Sequence, residues 1–426
     1  MKAIKRVLPL LIATHAVHAQ DAEQIFAEAL NYTVRVKTTI PTPFHEDEKG
    51  VFTGAGFIVD AGRRWVLTNA HVVGRSPSTV RIAVYGEEYE EAKKVYVDPY
   101  VDVAVVELAR EIPAASQARL LCEDSAGTGH PVGAFGHPWG FDYTGTQGVI
   151  SGRTPLVGGD LLQTDAPING GNSGGPLISL KSGGVVGIST ASFNDEEDQN
   201  TNFAVPISHA CKILALLKAG TDPSPPDLKV IFFDRGDTGL PLVVGRSYVP
   251  REQLDLQPGD EILSANGSRV TNEGELTHLL RGNLDNVEIG VVRSGQRASV
   301  RGRLPPLPRV TDRRGVLFSG VLLAPGGMRD AAALGLGHDI MVQSVDEGSE
   351  GAAAELYVFD YVVAVEGVPV RDLEHLYSVL AALPVGQPAS LDFLRAGTTE
   401  DEGRVFALLR REIIVTAPTH FGAWAE

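Results

Sequence analysis

Apolar and polar residues alternate in short runs over most of the first 220 residues. TVRVKTT, GAGFIVD, WVLTNAHVV, TVRIAVY, KKVYVD, VDVAVVEL and GGVVGIST are rich in β-branched and apolar residues, and turn residues separate them. That spacing predicts the strands of sandwiches or barrels. Two stretches have helical period instead. Residues 20–30 place Ala22, Ile25, Phe26 and Leu30 on one face, and HACKILALLKAG (209–220) reads as a helix that stops on a glycine. TDPSPPD (221–227) follows as a linker, because proline does not continue a helix.

The pattern then repeats. DEILSANGSRV starts at Asp260 and DYVVAVEGVPV at Asp360, so that Gly267/Gly367, Val270/Val370, Leu276/Leu376 and Leu280/Leu380 coincide. Each copy predicts a strand, a tight turn and a helix. In the second helix Leu373, Leu376, Tyr377 and Leu380 share a face, with Asp372 as N-cap. VEIGVVRSGQ (287–296) and ASLDFLRAGT (389–398) continue the two copies as strand and turn. Register held through three kinds of element points to two homologous small domains, joined at PPLP (305–308).

Composition narrows the class. A chain of 426 residues is long enough for about three domains. The 47 glycines and 26 prolines favour many turns and a mostly β fold. The net charge of −16 lacks the basic footprint of a nucleic-acid binder. The runs HEDEK (45–49) and NDEED (194–198) read as solvated loops, without the spacing of a calcium loop. At the N-terminus, Lys2, Lys5 and Arg6 precede a short apolar core (Val7–Ala13), and Val17-His18-Ala19 offers a cleavage site before Gln20. This predicts a signal peptide over 1–19, an exported mature chain and a change of net charge from −16 to −19 on removal of those three cations. Export permits a disulfide. Cys122 and Cys211, far apart in sequence and outside any metal pattern, are not expected to pair.

The chemistry sits in three weak signals. His71 ends the strand in TNAHVV, Asp102 precedes the apolar run in DPYVDVAVVEL, and Ser173 lies among glycines in TDAPINGGNSGGPL. Alone, each has an ordinary structural reading. Together they fit a nucleophile (Ser173), a general base (His71) and an orienting carboxylate (Asp102). Glycines beside the serine let amides turn towards a developing oxyanion, and the amides of Gly171 and Ser173 are the candidates. The runs near the nucleophile carry no carboxylate suited to a basic side chain, so an aliphatic P1 residue is expected, with Ile168 near the pocket. Asp165 is the weaker, basic-selecting alternative. His130 and His137 in GHPVGAFGHPWG read as part of a structural loop, and no metal is assigned.

GAGFIVD, LTNAHVV, DVAVVEL, QTDAPINGGNSGGPL and NFAVPI resemble, in this order, the blocks of the HtrA/Deg serine proteases, over about residues 30–220. The repeated units resemble PDZ domains in the permuted form such proteases carry. The resemblance implies a chymotrypsin-like double six-stranded β-barrel protease domain (20–220) followed by two small α+β PDZ domains (228–305 and 306–415) and a tail (416–426). It also implies His71, Asp102 and Ser173 as the triad, with Gly171 and Ser173 as the oxyanion hole. ATP-independent cleavage of misfolded or unfolded proteins, a periplasmic address, no cofactor, and a homotrimer or multiple of trimers follow from it. No phosphate-binding glycine loop is present in the sequence, which agrees with independence of ATP. In the second PDZ-like copy, Phe318, Ser319, Gly320 and Val321 are the candidates for capturing a peptide C-terminus. In the first copy no such loop can be placed. Two alternatives stay open: a regulatory protease that cuts one target on peptide activation, and a chaperone or scaffold with a silent protease domain.

The sequence departs from the family at two places. Gly170 stands where the family has proline, which predicts a more mobile oxyanion loop. The segment with PTPFHEDEKG is short, which argues against a cage built on that loop.

Overall fold

The computed structural model describes residues 22–426 apart from 124–125, 138–142, 157–158, 193–200, 234–240, 327–335, 399–403, 423 and 425–426. The predicted signal peptide and the acidic run 194–198 therefore lie outside the described residues.

Strands β1 (Thr33–Ile40), β2 (Gly50–Asp60), β3 (Trp65–Thr68), β4 (Thr79–Val84), β5 (Glu90–Asp98) and β6 (Val103–Leu108) close into a barrel in the order β1-β2-β3-β6-β5-β4. Alternating side chains such as Val34, Val36, Phe57, Leu67, Ile82 and Val105 fill it. A second barrel of β7 (Pro131–Gly136), β8 (Thr144–Leu156), β9 (Gly159–Thr164), β10 (Pro176–Ser179), β11 (Val185–Ser192) and β12 (Asn202–Pro206) has the order β10-β11-β12-β9-β8-β7. Every run predicted as a strand in the first 200 residues contains one, but WVLTNAHVV is strand only over Trp65–Thr68, and its Ala70–Val73 end, with His71, is helical. Strand β7 was expected as a loop, because glycine and proline punctuate it. Its Gly133 instead makes room for Phe26 of helix α1 (Ala22–Ala29), whose ring stacks on Phe135 with centroids 5.5 Å apart.

A four-residue helix, α2 (Ala70–Val73), follows β3, and α3 (Ile207–Lys218) closes the barrel pair. Contrary to the sequence expectation, Cys211 of α3 is disulfide-bonded to Cys122, with Cα atoms 5.8 Å apart. The pairing depends on α3 folding back onto the segment beside β11, where Leu121 N donates to Val185 O, and short-range pattern carries no sign of that.

The second half holds two further sheets. The first contains β13 (Val230–Phe232), β14 (Leu242–Ser247), β15 (Glu261–Ala265), β16 (Ser268–Arg269), β17 (Val287–Arg293) and β18 (Gln296–Gly302), with helix α4 (Glu273–Leu280) packed on it. The second contains β19 (Gly315–Phe318), β20 (Val321–Pro325), β21 (Ile340–Val345), β22 (Tyr361–Val365), β23 (Val368–Pro369), β24 (Pro388–Thr398), β25 (Arg404–Ile414) and β26 (Thr419–Phe421), with α5 (Glu350–Ala353) and α6 (Leu373–Ala381). Part of the expected tail thus adds to a sheet as β26.

The repeat is physical as well as textual. Asn266-Gly267 and Glu366-Gly367 both take left-handed dihedrals, as a two-residue hairpin turn requires. Asn272 and Asp372 cap α4 and α6 by accepting from Glu275 N and His375 N. Asp260 and Asp360 each receive a two-pronged guanidinium, from Arg293 and Arg395, with N–O distances of 2.7–2.8 Å. The segment expected as a linker is ordered: Pro223 to Pro226 are buried, and Pro226 bridges Pro306 across the second joint.

Candidate active site

The site lies where the two barrels meet. Ala55 N of β2 donates to Ser173 O (2.8 Å), and Thr68 Oγ1 donates to Ala55 O (2.7 Å). Gly174 has φ +85, and a Cβ there would collide with Ala55 O and Thr68 Oγ1, so only glycine lets the serine loop of the second barrel approach the first so closely.

His71 sits in α2, one turn past the end of β3. Asp102 sits in the short β5–β6 connection with φ +54, a left-handed conformation that aspartate tolerates better than most residues. The carboxylate of Asp102 accepts from His71 N (3.0 Å to Oδ1), and His71 Nδ1 lies 2.8 Å from Oδ2. A carboxylate only accepts here, so Nδ1 carries the proton and Nε2 is left as the base. Asn69 Nδ2 donates to Asp102 O (2.8 Å), which fixes the backbone of that residue.

Thr190 of β11 links the parts. Its hydroxyl donates to Asp102 Oδ2 at 2.5 Å, and its carbonyl accepts from Ser173 Oγ at 3.0 Å. Burial by itself would raise the Asp102 pKa. Hydrogen bonds from His71 and Thr190 outweigh it and hold the carboxyl below its ordinary value, so it stays ionised. Sequence reasoning missed Thr190 and Asn69. Nothing in GISTASF marks a threonine that reaches across 88 positions.

The structure therefore brings His71, Asp102 and Ser173 together, with the serine hydroxyl directed at Thr190 O rather than at His71. Hydrogen bonds between nucleophile and base often form fully only when substrate arrives. Among the described residues no hydrogen bond uses the amide of Gly171 or of Ser173, while Gly171 O accepts from His137 N (3.2 Å). Both amides are thus free to serve an oxyanion. Gly170 is exposed, outside the left-handed region, and a Cβ built on it meets nothing within 4 Å.

Ile168 is only 3% exposed and packs among Val132, Ile150, Leu162 and Leu177 in the second barrel's core. It forms a wall of that core and not an open pocket floor. Asp165 is exposed and accepts from Val149 N (2.6 Å), which occupies the group proposed as a basic-residue selector. His130 and His137 serve separate ends of β7: His130 Nε2 meets Ser179 Oγ at 2.8 Å, and the ring of His137 lies against Tyr143.

The peptide-capture candidates in the second repeat need correction. Phe318 and Val321 are both 1% exposed and pair across a hairpin whose two-residue turn is Ser319-Gly320. Ser319 N donates to Thr416 Oγ1 (2.8 Å), and Ser319 Oγ donates to Ile414 O (2.8 Å). Strand β20 is paired on both edges, by β19 and β21. The chain itself fills the positions a peptide would take, so these residues form no open amide nest.

A family model for the trypsin-like peptidase domain matches residues 54–188, a span that holds all three candidate residues. A DegP-like periplasmic serine endoprotease of Pseudomonas fluorescens is 30% identical over 376 residues, covering 81% of this chain and 77% of the relative. Among solved structures, the serine endoprotease from Yersinia pestis matches with a TM-score of 0.51 at 25% identity, over 67% of this chain and 98% of that one. The HtrA-type protease AlgW with a tripeptide matches with a TM-score of 0.53 at 26% identity, over 66% and 98%.

Proposed function

Since the chain belongs to the DegP-like (HtrA) family of periplasmic serine endoproteases, and is a serine protease itself, we propose that Ser173, His71 and Asp102 perform its chemistry on unfolded or misfolded exported proteins. The observation that carries this reading is the pair of contacts on one carboxylate, His71 Nδ1 at 2.8 Å and Thr190 Oγ1 at 2.5 Å. The first turns Nδ1 to the carboxylate and leaves Nε2 to act as the base, and the second fixes the carboxylate.

Ser173 Oγ attacks the scissile carbonyl carbon while His71 Nε2 takes its proton. The carbonyl oxygen becomes an oxyanion, and the amides of Gly171 and Ser173 are its proposed donors. Collapse breaks the C–N bond, and the imidazolium gives its proton to the leaving amine. Water then repeats the sequence on the acyl-enzyme and restores Ser173. Asp102 stabilises the imidazolium and keeps its orientation without being protonated. The uncharged runs Pro167-Ile168-Asn169 and GISTASF (187–193) support aliphatic P1 residues, and no step calls for ATP, a metal or a cofactor. The two repeated domains are PDZ-like on this reading and govern assembly or substrate presentation, around the trimeric unit of the family.

The test is cleavage of an unfolded protein by the full chain without nucleotide. Ser173→Ala should lose about 10⁶ in turnover. Equal cutting by both proteins would remove Ser173 from the reaction. Cutting by wild type only after a C-terminal peptide is added would favour a regulatory protease over quality control. Mass mapping of the products should find aliphatic P1 residues, and mainly Lys or Arg cuts would refute that preference. Sedimentation reads the assembly state.

A further inference from the structure

The loop that ends in Asp102 is held from outside the barrels. Strand β5 finishes at Asp98, and Asp98 Oδ1 accepts from Tyr100 N (3.0 Å) and Val101 N (3.2 Å), which folds residues 98–101 into a tight turn ahead of Asp102. Asp98 Oδ2 accepts from Tyr96 OH (3.0 Å) and from Arg281 Nη1 (2.5 Å). Arg281 comes from the next domain, immediately after α4. Both side chains of the ion pair are 0% exposed. The same guanidinium nitrogen donates to Pro223 O (2.7 Å), in the buried segment that joins the two domains. One helix turn earlier, Thr277 Oγ1 donates to Tyr100 OH (3.3 Å). Around this core His209 of α3 meets His278 edge to face, with ring centroids 4.5 Å apart, and Lys212 Nζ donates to His278 O (2.5 Å).

A buried pair of this kind is weak support for stability, because desolvation offsets most of the attraction. Arg281 Nε and Nη2 have no hydrogen-bond partner among the described residues, which makes the net gain smaller still. What the pair does supply is geometry. A guanidinium held at Pro223 O fixes where Asp98 Oδ2 lies, and Asp98 Oδ1 fixes the amides that lead to Asp102.

We propose that Arg281 is a positioning residue for the cleavage reaction: through Asp98 it holds the turn that presents Asp102 to His71, so the protease site is complete only with the following domain docked. This rests on the reading of Asp102 as the orienting carboxylate.

The experiment uses the full chain and a small fluorogenic peptide, with Arg281→Met, Arg281→Lys, Asp102→Asn and the double variant Arg281→Met/Asp102→Asn. Circular dichroism and the protease resistance of residues 221–227 report folding and docking. In folded Arg281→Met, kcat should fall about 10- to 100-fold, the scale of an approximately 1 Å misplacement, with KM little changed. The double variant should be no worse than Asp102→Asn alone.

Unchanged kcat in folded Arg281→Met, or a loss that adds to that of Asp102→Asn, would overturn the proposal while leaving the triad intact. Full activity in Asp102→Asn would instead sink the triad reading itself, where a loss of about 10⁴ is expected. Should Arg281→Met fail to fold, Arg281→Lys carries the test. A lysine keeps the charge but not the planar fork, so it should show a smaller drop in kcat with KM little changed, and wild-type behaviour there would overturn the proposal.

Discussion

Removing the Cys122–Cys211 bridge, by Cys122→Ser/Cys211→Ser or by reduction, should cost the protease domain a large part of its stability. The bridge closes a loop across 89 positions. Loop-closure entropy for a cross-link of that span corresponds to about 4–5 kcal/mol at 25 °C. For a domain of roughly 200 residues, each kcal/mol moves the melting temperature by about 2–4 °C, so a drop of about 8–20 °C is expected. The consequence reaches beyond the barrels, because Cys211 lies in α3 between His209 and Lys212, which both contact His278 in the next domain. Differential scanning calorimetry of the full chain with and without reductant is the assay, alongside the doubly substituted variant. Reduced wild type and the variant should melt together, and the variant should ignore reductant. Two titratable thiols in the native exported protein would refute the pairing. Oxidised wild type and variant melting within about 2 °C would refute the entropic reasoning, since that corresponds to at most about 1 kcal/mol.

Two further outcomes follow from local geometry. Gly170→Pro should raise basal cleavage by about 2- to 5-fold, the equivalent of the 0.4–1 kcal/mol by which a compatible proline restricts a loop, since its Cβ meets open space and its φ is not left-handed. Unchanged or lower basal activity in a folded variant would count against it. In the first repeat, burial alone would raise the Asp260 pKa, but Arg293 and the amide of Gln257 hold it below the ordinary carboxylate value. A lowered native pKa means stability that is present above the unfolded value, about 3.9, and lost as pH falls through the native one. Acid unfolding followed below about pH 4 should therefore be less steep in Asp260→Asn, which is already weakened at neutral pH. An identical slope would show that Asp260 contributes none of it.

Much of this protein was legible in the chain itself. Runs such as VDVAVVEL became strands because alternation and β-branching are properties of a few neighbouring residues. The repeat was visible because Asn-Gly and Glu-Gly turns and the caps at Asn272 and Asp372 act over two to four positions. His71, Asp102 and Ser173 could be nominated because their order and flanking glycines suit one kind of chemistry. What touches them could not. Thr190 reaches Asp102, Arg281 reaches Asp98 and Cys211 reaches Cys122 only because barrel closure, domain docking and the return of α3 set those distances. The same holds for Phe318 to Val321. Their sequence suits a peptide-binding loop, yet two-sided pairing of β20 turns them into a closed hairpin. Local pattern determines which elements form, because its physics is short-ranged. Which side chains meet is decided by register and packing between segments that only the folded chain brings into contact.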